Sequence, residues 1–340
     1  MEGLFLLRKY FLPVIAILQR YNFVSEMAVG MNPHGYDWDD ILAYLYPAQG
    51  TFPTVRDQVV ASKWKSFDGD YQNYDQHQGA STMLGAWHKL VELCRHARPD
   101  IFTPEICTAM HTLAEECSFA LVNYFGDLLF FNGSNPSGHA LTVIINSIVN
   151  SFYMRIAWLW LFKTLDHFDD NVRLITYGDD NVVSVSPEYQ ETFNLVTVQK
   201  TLALFNIVYT NASKTTITMP FVEKDEISFL KRKWIWNDAG FYSAPLEKTS
   251  IYNMLILQKR DNLQEDDRCI SVLLSSVMEA FHHGETFYND HVEQCKECVR
   301  ELGLERWLDY KTDGKGFQTF ADRVVSRLAN KSRKTLEAGL

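Results

Sequence analysis

Asp179 and Asp180 are adjacent carboxylates within Thr176-Tyr177-Gly178-Asp179-Asp180-Asn181. Val172 to Ile175 precede them and Val182 to Ser186 follow. Both flanks are β-branched and apolar, so each reads as a short buried strand. The Gly-Asp pair between them marks a tight hairpin. Gly178 can take the positive φ of such a turn, and it leaves room for another backbone to approach. Two acids at one tip repel each other. A hard cation, magnesium first among them, relieves that cost because it prefers oxygen ligands. Taken alone, these residues are equally well read as a solvated Asp turn.

Two further stretches could join this chemistry. Asp70-Tyr71-Gln72-Asn73-Tyr74-Asp75 carries two acids five positions apart. Asp70 falls at a strand end and can face a metal beside the hairpin tip. Asp75 falls past the turn and can face a substrate. A solvated acidic loop is the competing reading. In Ser137-Gly138-His139-Ala140-Leu141-Thr142-Val143-Ile144-Ile145-Asn146-Ser147, a Gly-rich loop enters a helix with Ser137 as its N-cap. Thr142 and Asn146 are four apart and project from one face. A polar ridge on an apolar helix costs free energy unless it meets a partner. That partner is a ligand or the core itself, and this stretch alone does not choose.

The elements that must hold these residues follow from periodicity and breakers. A helix is expected over 4–20 with Pro13 as an interior kink, and a short one over Asp37 to Leu45. Trp64 to Asp70 reads as a strand running into a loop. Helices are expected over 77–97 and 104–118, then a hairpin over 119–131 turning at Gly126-Asp127. A long helix runs from His139 to Leu165, ahead of the Asp-Asp hairpin. Another helix covers 188–205, followed by an irregular strand over 206–219. A second hairpin starts at Phe229 to Trp236, where Trp234 and Trp236 alternate toward a core. From Leu246 the chain reads as helical. Antiparallel strands packed on helices make an α+β plan.

With 340 residues, 46% of them hydrophobic, the chain can bury a large core. A net charge of −10 argues against a protein that simply coats a polyanion, and it leaves room for a local basic groove beside an acidic metal site. The six cysteines are too sparse for a disulfide scaffold and suit a reducing compartment. No signal peptide is visible, since the run from Phe11 to Leu18 is too short and lacks a cleavage site. The apolar stretch Ala140 to Phe162 carries Asn146, Asn150 and Arg155, which favours a buried helix over a membrane span. No transmembrane segment is expected.

The three stretches, in this order, resemble the palm of picornavirus-like RNA-dependent RNA polymerases. Asp70-x4-Asp75 matches that family's motif A. Ser137-Gly138-x3-Thr142-x3-Asn146-Ser147 matches motif B, and Tyr177-Gly178-Asp179-Asp180 matches motif C. Lys214, in Asn211-Ala212-Ser213-Lys214-Thr215, sits where motif D carries its lysine. Phe229-Leu230-Lys231-Arg232 matches motif E. Arg8-Lys9-Tyr10-Phe11-Leu12-Pro13 is similar to the sequence just downstream of motif F. The likeness is nearest to picorna-like viruses of the dicistrovirus, iflavirus and marnavirus type.

The resemblance implies a right-hand polymerase with an antiparallel-sheet palm packed on helices, partial fingers and a helical thumb. It divides the chain into a fingers remnant and palm start (1–60), palm with motif A (61–103), a fingers insertion (104–132), palm with motifs B to E (133–245) and thumb (246–340). The implied function is template-directed RNA synthesis from ribonucleoside triphosphates on an RNA template and primer. The chain would be part of a viral polyprotein and work with other replication proteins, at replication complexes in the host cytoplasm. Asp70 and Asp179, with Asp180 as a weaker ligand, would bind two magnesium ions, and manganese could substitute. Asp75 and Asn146, helped by Ser137 or Thr142, would sense the ribose 2′-hydroxyl. Lys214 would act as a general acid toward pyrophosphate, Lys231 and Arg232 would hold primer phosphates, and Gly138 would let its loop flex.

The basic cluster of motif F is not found before Asp70, so the chain is expected to start inside a polymerase. That keeps a non-catalytic RNA-binding fragment as one alternative. A reverse transcriptase is another, although that family usually carries a bulky aromatic gate where this chain has Asp75. His291, Cys295 and Cys298, with His282 or His283, pose a zinc site against an ordinary helix. Their spacing lacks paired knuckles.

Overall fold

The computed structural model describes residues 2–135, 138, 141–212, 219–257 and 264–337. In chain order the N-terminal part forms α1 (Glu2–Arg20), α2 (Asn22–Ser25), α3 (Asp37–Leu45) and α4 (Val55–Ala61). Next come β1 (Lys65–Tyr71), α5 (Tyr74–His77), α6 (Ala80–Ala97), α7 (Pro104–Ser118), β2 (Leu121–Tyr124) and β3 (Asp127–Phe130). The middle holds α8 (Thr142–Phe162), α9 (Phe168–Asn171), β4 (Val172–Tyr177), β5 (Asp180–Val185), α10 (Leu195–Ala203) and β6 (Tyr209–Thr210). The last part holds β7 (Ile235–Trp236), β8 (Tyr242–Ser243), α11 (Lys248–Ile256), α12 (Glu265–Ala280), α13 (Glu285–Glu301), α14 (Glu305–Thr312) and α15 (Phe320–Glu337).

The chain forms two compact units. One comprises Met1–Met31, Tyr44–Ala48 and Ser62–Leu230. The other comprises Asn32–Ala43, Gln49–Ala61 and Lys231–Leu340. This grouping differs from the five-part division expected from sequence. Residues 32–43 and 49–61 join the C-terminal unit, whose main segment starts at Lys231 instead of 246.

The first unit is built on an antiparallel sheet in the order β4-β5-β1-β6. Val183 and Val185 of β5 are wholly buried and share a core with Phe67 of β1, and Val182, on the other face of the sheet, is wholly buried too. That core takes in Trp87 and Met83 of α6, Met110 of α7 and Ile145, Met154 and Trp158 of α8. Apolar residues three and four apart give each helix one inward stripe. The α8 helix starts at Thr142, later than His139, and ends at Lys163 with a φ of 61°. The expected helix over 188–205 shortens to α10 because Asn194 and Thr197 make a reciprocal capping box that sets its start. The β2–β3 hairpin turns at Phe125-Gly126, one residue earlier than expected.

In the second unit, α12 and α13 enclose a core with Phe281, Tyr288, Val292 and Leu308. The second hairpin is shorter than expected, pairing only Ile235–Trp236 with Tyr242–Ser243. Leu230 and Lys231 take φ values of 55° and 57°, which end any strand there. Trp234 is buried as expected, stacked on Trp38 at a ring separation of 4.9 Å. None of the six cysteines is paired. No helix among the described residues is long and apolar enough to cross a membrane.

Candidate active site

The pairing Tyr177↔Asp180 closes a two-residue turn of Gly178 and Asp179. Gly178 has a φ of 65° while Asp179 stays at negative φ, the pattern of a type II′ hairpin turn with glycine first. The space where a Gly178 side chain would stand is open. Asp179 is exposed, and Asp180 is half-buried.

Helix α8 clamps this tip from behind. Ser147 Oγ accepts from the Gly178 amide at 2.9 Å and donates to the Val143 carbonyl at 2.7 Å. Asn150 Nδ2 lies 3.0 Å from both the Gly178 and the Asp179 carbonyl oxygens. Asn150 Oδ1 accepts from Asn181 Nδ2 at 3.0 Å and from the Tyr71 hydroxyl at 3.1 Å. Asn181 Oδ1 in turn accepts from the Tyr209 hydroxyl at 2.8 Å. Asn150 is 0% exposed, so each of these bonds replaces one that water would otherwise make. Burial pushes the Tyr71 and Tyr209 phenols well above their ordinary value, so both remain donors. Tyr209 reaches Asn181 by crossing over Gly69, where a Cβ would lie 1.8 Å from the Tyr209 oxygen. Only glycine fits that crossing.

The register of β1 on β5 ends at Gly69↔Asn181, so the next position brings Asp70 level with Asp180. Asp70 therefore stands at the end of the sheet where the tip lies, and it is buried. Asp68, two residues earlier on the same face, accepts from the Ser228 amide at 2.9 Å and the Ala212 amide at 3.3 Å. It ties the following chain to β1 and leaves Asp70, Asp179 and Asp180 as the acids of the tip. Three carboxylates at neighbouring strand ends suit a hard divalent cation in donor chemistry. Among the described residues, no three metal-ligating side chains converge on one point.

Asp75, Thr142 and Asn146, three of the residues expected around a ribose, also come together, through Asn135. The Asn135 amide donates to the Asp75 carbonyl at 2.8 Å. Asn135 Nδ2 reaches the Thr142 carbonyl at 3.3 Å and Asn146 Oδ1 at 2.7 Å. Gln78 Nε2 donates to the same Asn146 oxygen at 2.8 Å. The Tyr74 hydroxyl donates to the Asn146 carbonyl at 2.8 Å. Gly138 has a φ of 98° and is exposed. Ser137 and Lys214 lie outside the described residues. Asn135, Gln78, Asn150 and Tyr209 were missed because each is a single polar residue whose partner is distant in sequence. The four-residue step from Asn146 to Asn150 was the one available signal.

One expected assignment needs correction. Arg232 is buried in the second unit, with both guanidinium ends on Glu279 at 2.7 Å and a further bond to the Ala244 carbonyl at 2.9 Å. Its fork is filled and cannot also grip a primer phosphate. Burial raises the Glu279 carboxyl, but the His34 and Arg232 bonds outweigh it and bring it down to about 2. Lys231 is exposed. Of the residues posed for zinc, His291 Nε2 lies 2.9 Å from Ser276 Oγ, and Cys295 Sγ lies 3.8 Å from that oxygen. His282 is bonded to His34 and to the Ala244 amide, His283 to the Leu246 carbonyl, and Cys298 is exposed.

Known proteins are similar to this chain. The replicase polyprotein of Cricket paralysis virus is 29% identical over 312 residues, covering 88% of this chain and 16% of the polyprotein. The genome polyprotein of Rice tungro spherical virus is 27% identical over 322 residues, covering 88% of this chain and 8% of the polyprotein. The chain thus spans under a fifth of either relative. The solved Sicinivirus 3Dpol RNA dependent RNA polymerase superposes with a TM-score of 0.68 at 14% identity, covering 95% of this chain and 60% of that one. At that identity the likeness is one of fold. The family of viral RNA-dependent RNA polymerases matches residues 1–299, and the chain belongs to that family.

Proposed function

We propose that this chain carries the catalytic centre for template-directed RNA synthesis, adding ribonucleoside monophosphate units from triphosphates to a primer on an RNA template. The observation that carries this reading is the register that sets Asp70 level with Asp180 beside a hairpin tip clamped by Ser147 and Asn150. A catalytic acid must be held to within a fraction of an ångström, and a tip fixed by buried bonds to a long helix meets that demand. The matched family favours this function over a reverse transcriptase or a non-catalytic fragment.

Asp70 and Asp179, with Asp180 as the weaker ligand, would hold magnesium or manganese. The metals would supply activation of the primer 3′-hydroxyl and charge neutralisation on the triphosphate. Ser147 and Asn150 keep the Asp179 backbone fixed as its carboxylate takes up load. Asp75 and Asn146, aided by Ser137 or Thr142, would contact the ribose 2′-hydroxyl. Lys214 would protonate the departing pyrophosphate, Gly138 would permit its loop to adjust, and Lys231 alone of the motif E pair would meet primer phosphate. In the hand description, the palm would be formed by parts of the first unit and the thumb by the C-terminal helices. The same proposal places the protein with other viral replication proteins in host-cytoplasmic replication complexes.

The deciding experiment is magnesium-dependent primer extension by the viral polymerase containing this chain. Loss of extension in Asp179→Asn with RNA binding retained supports the reading. Wild-type turnover in that variant refutes it.

A further inference from the structure

We infer that Gln78 and Asn135 lock the polarity of the Asn146 amide, so that Asn146 presents only its NH2 group to the incoming sugar, and that these two residues thereby set the preference for ribonucleotides. The inference rests on the proposal that Asn146 faces the ribose.

The polarity follows from a backbone atom whose role is unambiguous. The Thr142 carbonyl can only accept, so the Asn135 amide atom 3.3 Å away is nitrogen. That nitrogen also lies 2.7 Å from Asn146, so the facing Asn146 atom is oxygen. The same oxygen lies 2.8 Å from Gln78, whose facing atom must then be nitrogen. Reversing Asn146 would set its NH2 against the Asn135 NH2, which the Thr142 carbonyl holds in place, and against the Gln78 NH2 unless that amide, whose Oε1 has no partner, turned with it. Two buried donors set face to face leave a hydrogen bond unmade where water cannot replace it, so the reversed amide is scarcely populated.

The clamp is itself rigid. Asn135 and Gln78 are 1% and 2% exposed, so water cannot replace either bond. The loop carrying Asn135 is fastened along α5 and its end. The Ser134 amide donates to the Gln78 carbonyl and the Asn135 amide to the Asp75 carbonyl, both at 2.8 Å. Gly133, with a φ of 93°, allows this approach: a Cβ there would lie 2.2 Å from the Gln78 carbonyl oxygen.

With Asn146 Oδ1 filled by two donors, the group left for a ligand is the Nδ2 donor. It bonds no described residue. The Asp75 carboxylate, on the segment the same loop grips, supplies an acceptor. One hydroxyl can accept from the amide and donate to the carboxylate. A sugar lacking that hydroxyl leaves both groups unpaired. An amide free to flip would offer oxygen half the time and discriminate less.

The test compares kcat/KM for ATP and dATP in the active polymerase that contains this chain. Asn135→Asp replaces a donor by an acceptor and should turn Asn146 around. Gln78→Met keeps the volume and deletes one donor. The expected result is a fall in the ATP to dATP ratio, about tenfold in Asn135→Asp and smaller in Gln78→Met, carried mainly by a raised KM for ATP. Should Asn135→Asp fail to fold, Gln78→Met alone decides. Equal losses for both nucleotides, with the ratio unchanged, overturn the inference and leave a merely structural clamp. Asn146→Asp separates the two levels of the reading, because its carboxylate keeps an oxygen in the clamp and turns the other toward the sugar. An unchanged ratio in Asn146→Asp sinks the sugar contact itself. A changed ratio there, with none in the clamp variants, sinks the clamp alone.

Discussion

The first unit contains two hairpins closed by the same residue pair. Tyr177↔Asp180 closes one around Gly178-Asp179, and Tyr124↔Asp127 closes the other around Phe125-Gly126. The turns differ in detail. Phe125 and Gly126 both take positive φ, whereas only Gly178 does in its turn. The surroundings differ far more. The strands of the β4–β5 hairpin are largely buried, and its tip is bonded to Ser147 and Asn150. Every strand residue of the β2–β3 hairpin is exposed, and Phe125 is 95% exposed. Local turn chemistry therefore makes a hairpin. A polar clamp from a packed helix fixes the tip of one of the two, as the reaction centre proposed there requires.

The largest expected effect separates the two tips. Asp179→Asn should slow nucleotide addition by about 10³-fold or more, the scale of losing a key electrostatic group. Asp127→Asn, which changes the acid beside the turn of the exposed hairpin at the place Asp180 holds in the other, should leave the rate within about twofold, since surface changes are usually near neutral. Primer extension on both variants measures the contrast. Equal losses would mean that the hairpins do not divide the labour as described.

The second effect removes the clamp and spares the acids. Asn150→Leu keeps the volume but strands the Gly178 and Asp179 carbonyls, Asn181 and the Tyr71 hydroxyl. Buried groups left unpaired in this way should cost roughly 3 kcal/mol in urea unfolding. The loosened tip should also slow addition about 10²-fold, as an ångström of misplacement does. A variant with wild-type stability would show the clamp to be dispensable.

A third effect comes from the clamp's phenols. Tyr71 and Tyr209 ionise well above 10.0 when folded and near that ordinary value when unfolded. Their contribution is thus complete below pH 10 and lost as pH rises above it. Each should take away up to about 1.4 kcal/mol per pH unit there. Unfolding followed between pH 9 and 11 reads the slope, and Tyr71→Phe should shallow it.

The smallest effect belongs to the exposed turn. Phe125→Ser should change stability by no more than about 0.5 kcal/mol, because that ring leaves water barely at all on folding. A loss above about 1.5 kcal/mol in the urea unfolding free energy would show that the hairpin is covered in solution.

Sequence alone determined what depends on neighbours along the chain. The Gly-Asp turn, the strand pair around it, the helix over Asp37–Leu45 and the order of the acidic stretches all follow from periodicity and turn chemistry, which act over a few residues. The face shared by Thr142 and Asn146 follows from helical spacing in the same way. Tertiary structure alone decided where polar side chains found partners. Arg232 looked like a free phosphate ligand until folding buried it against Glu279. Asn135, Gln78 and Tyr209 carried no signal of their own and Asn150 only its four-residue step from Asn146, yet they hold the tip and the Asn146 amide. A buried hydrogen bond depends on two groups brought together by packing, often more than sixty residues apart, as Gln78 and Asn146 are. No local pattern encodes that meeting, so only the folded chain reveals which polar residues position the site.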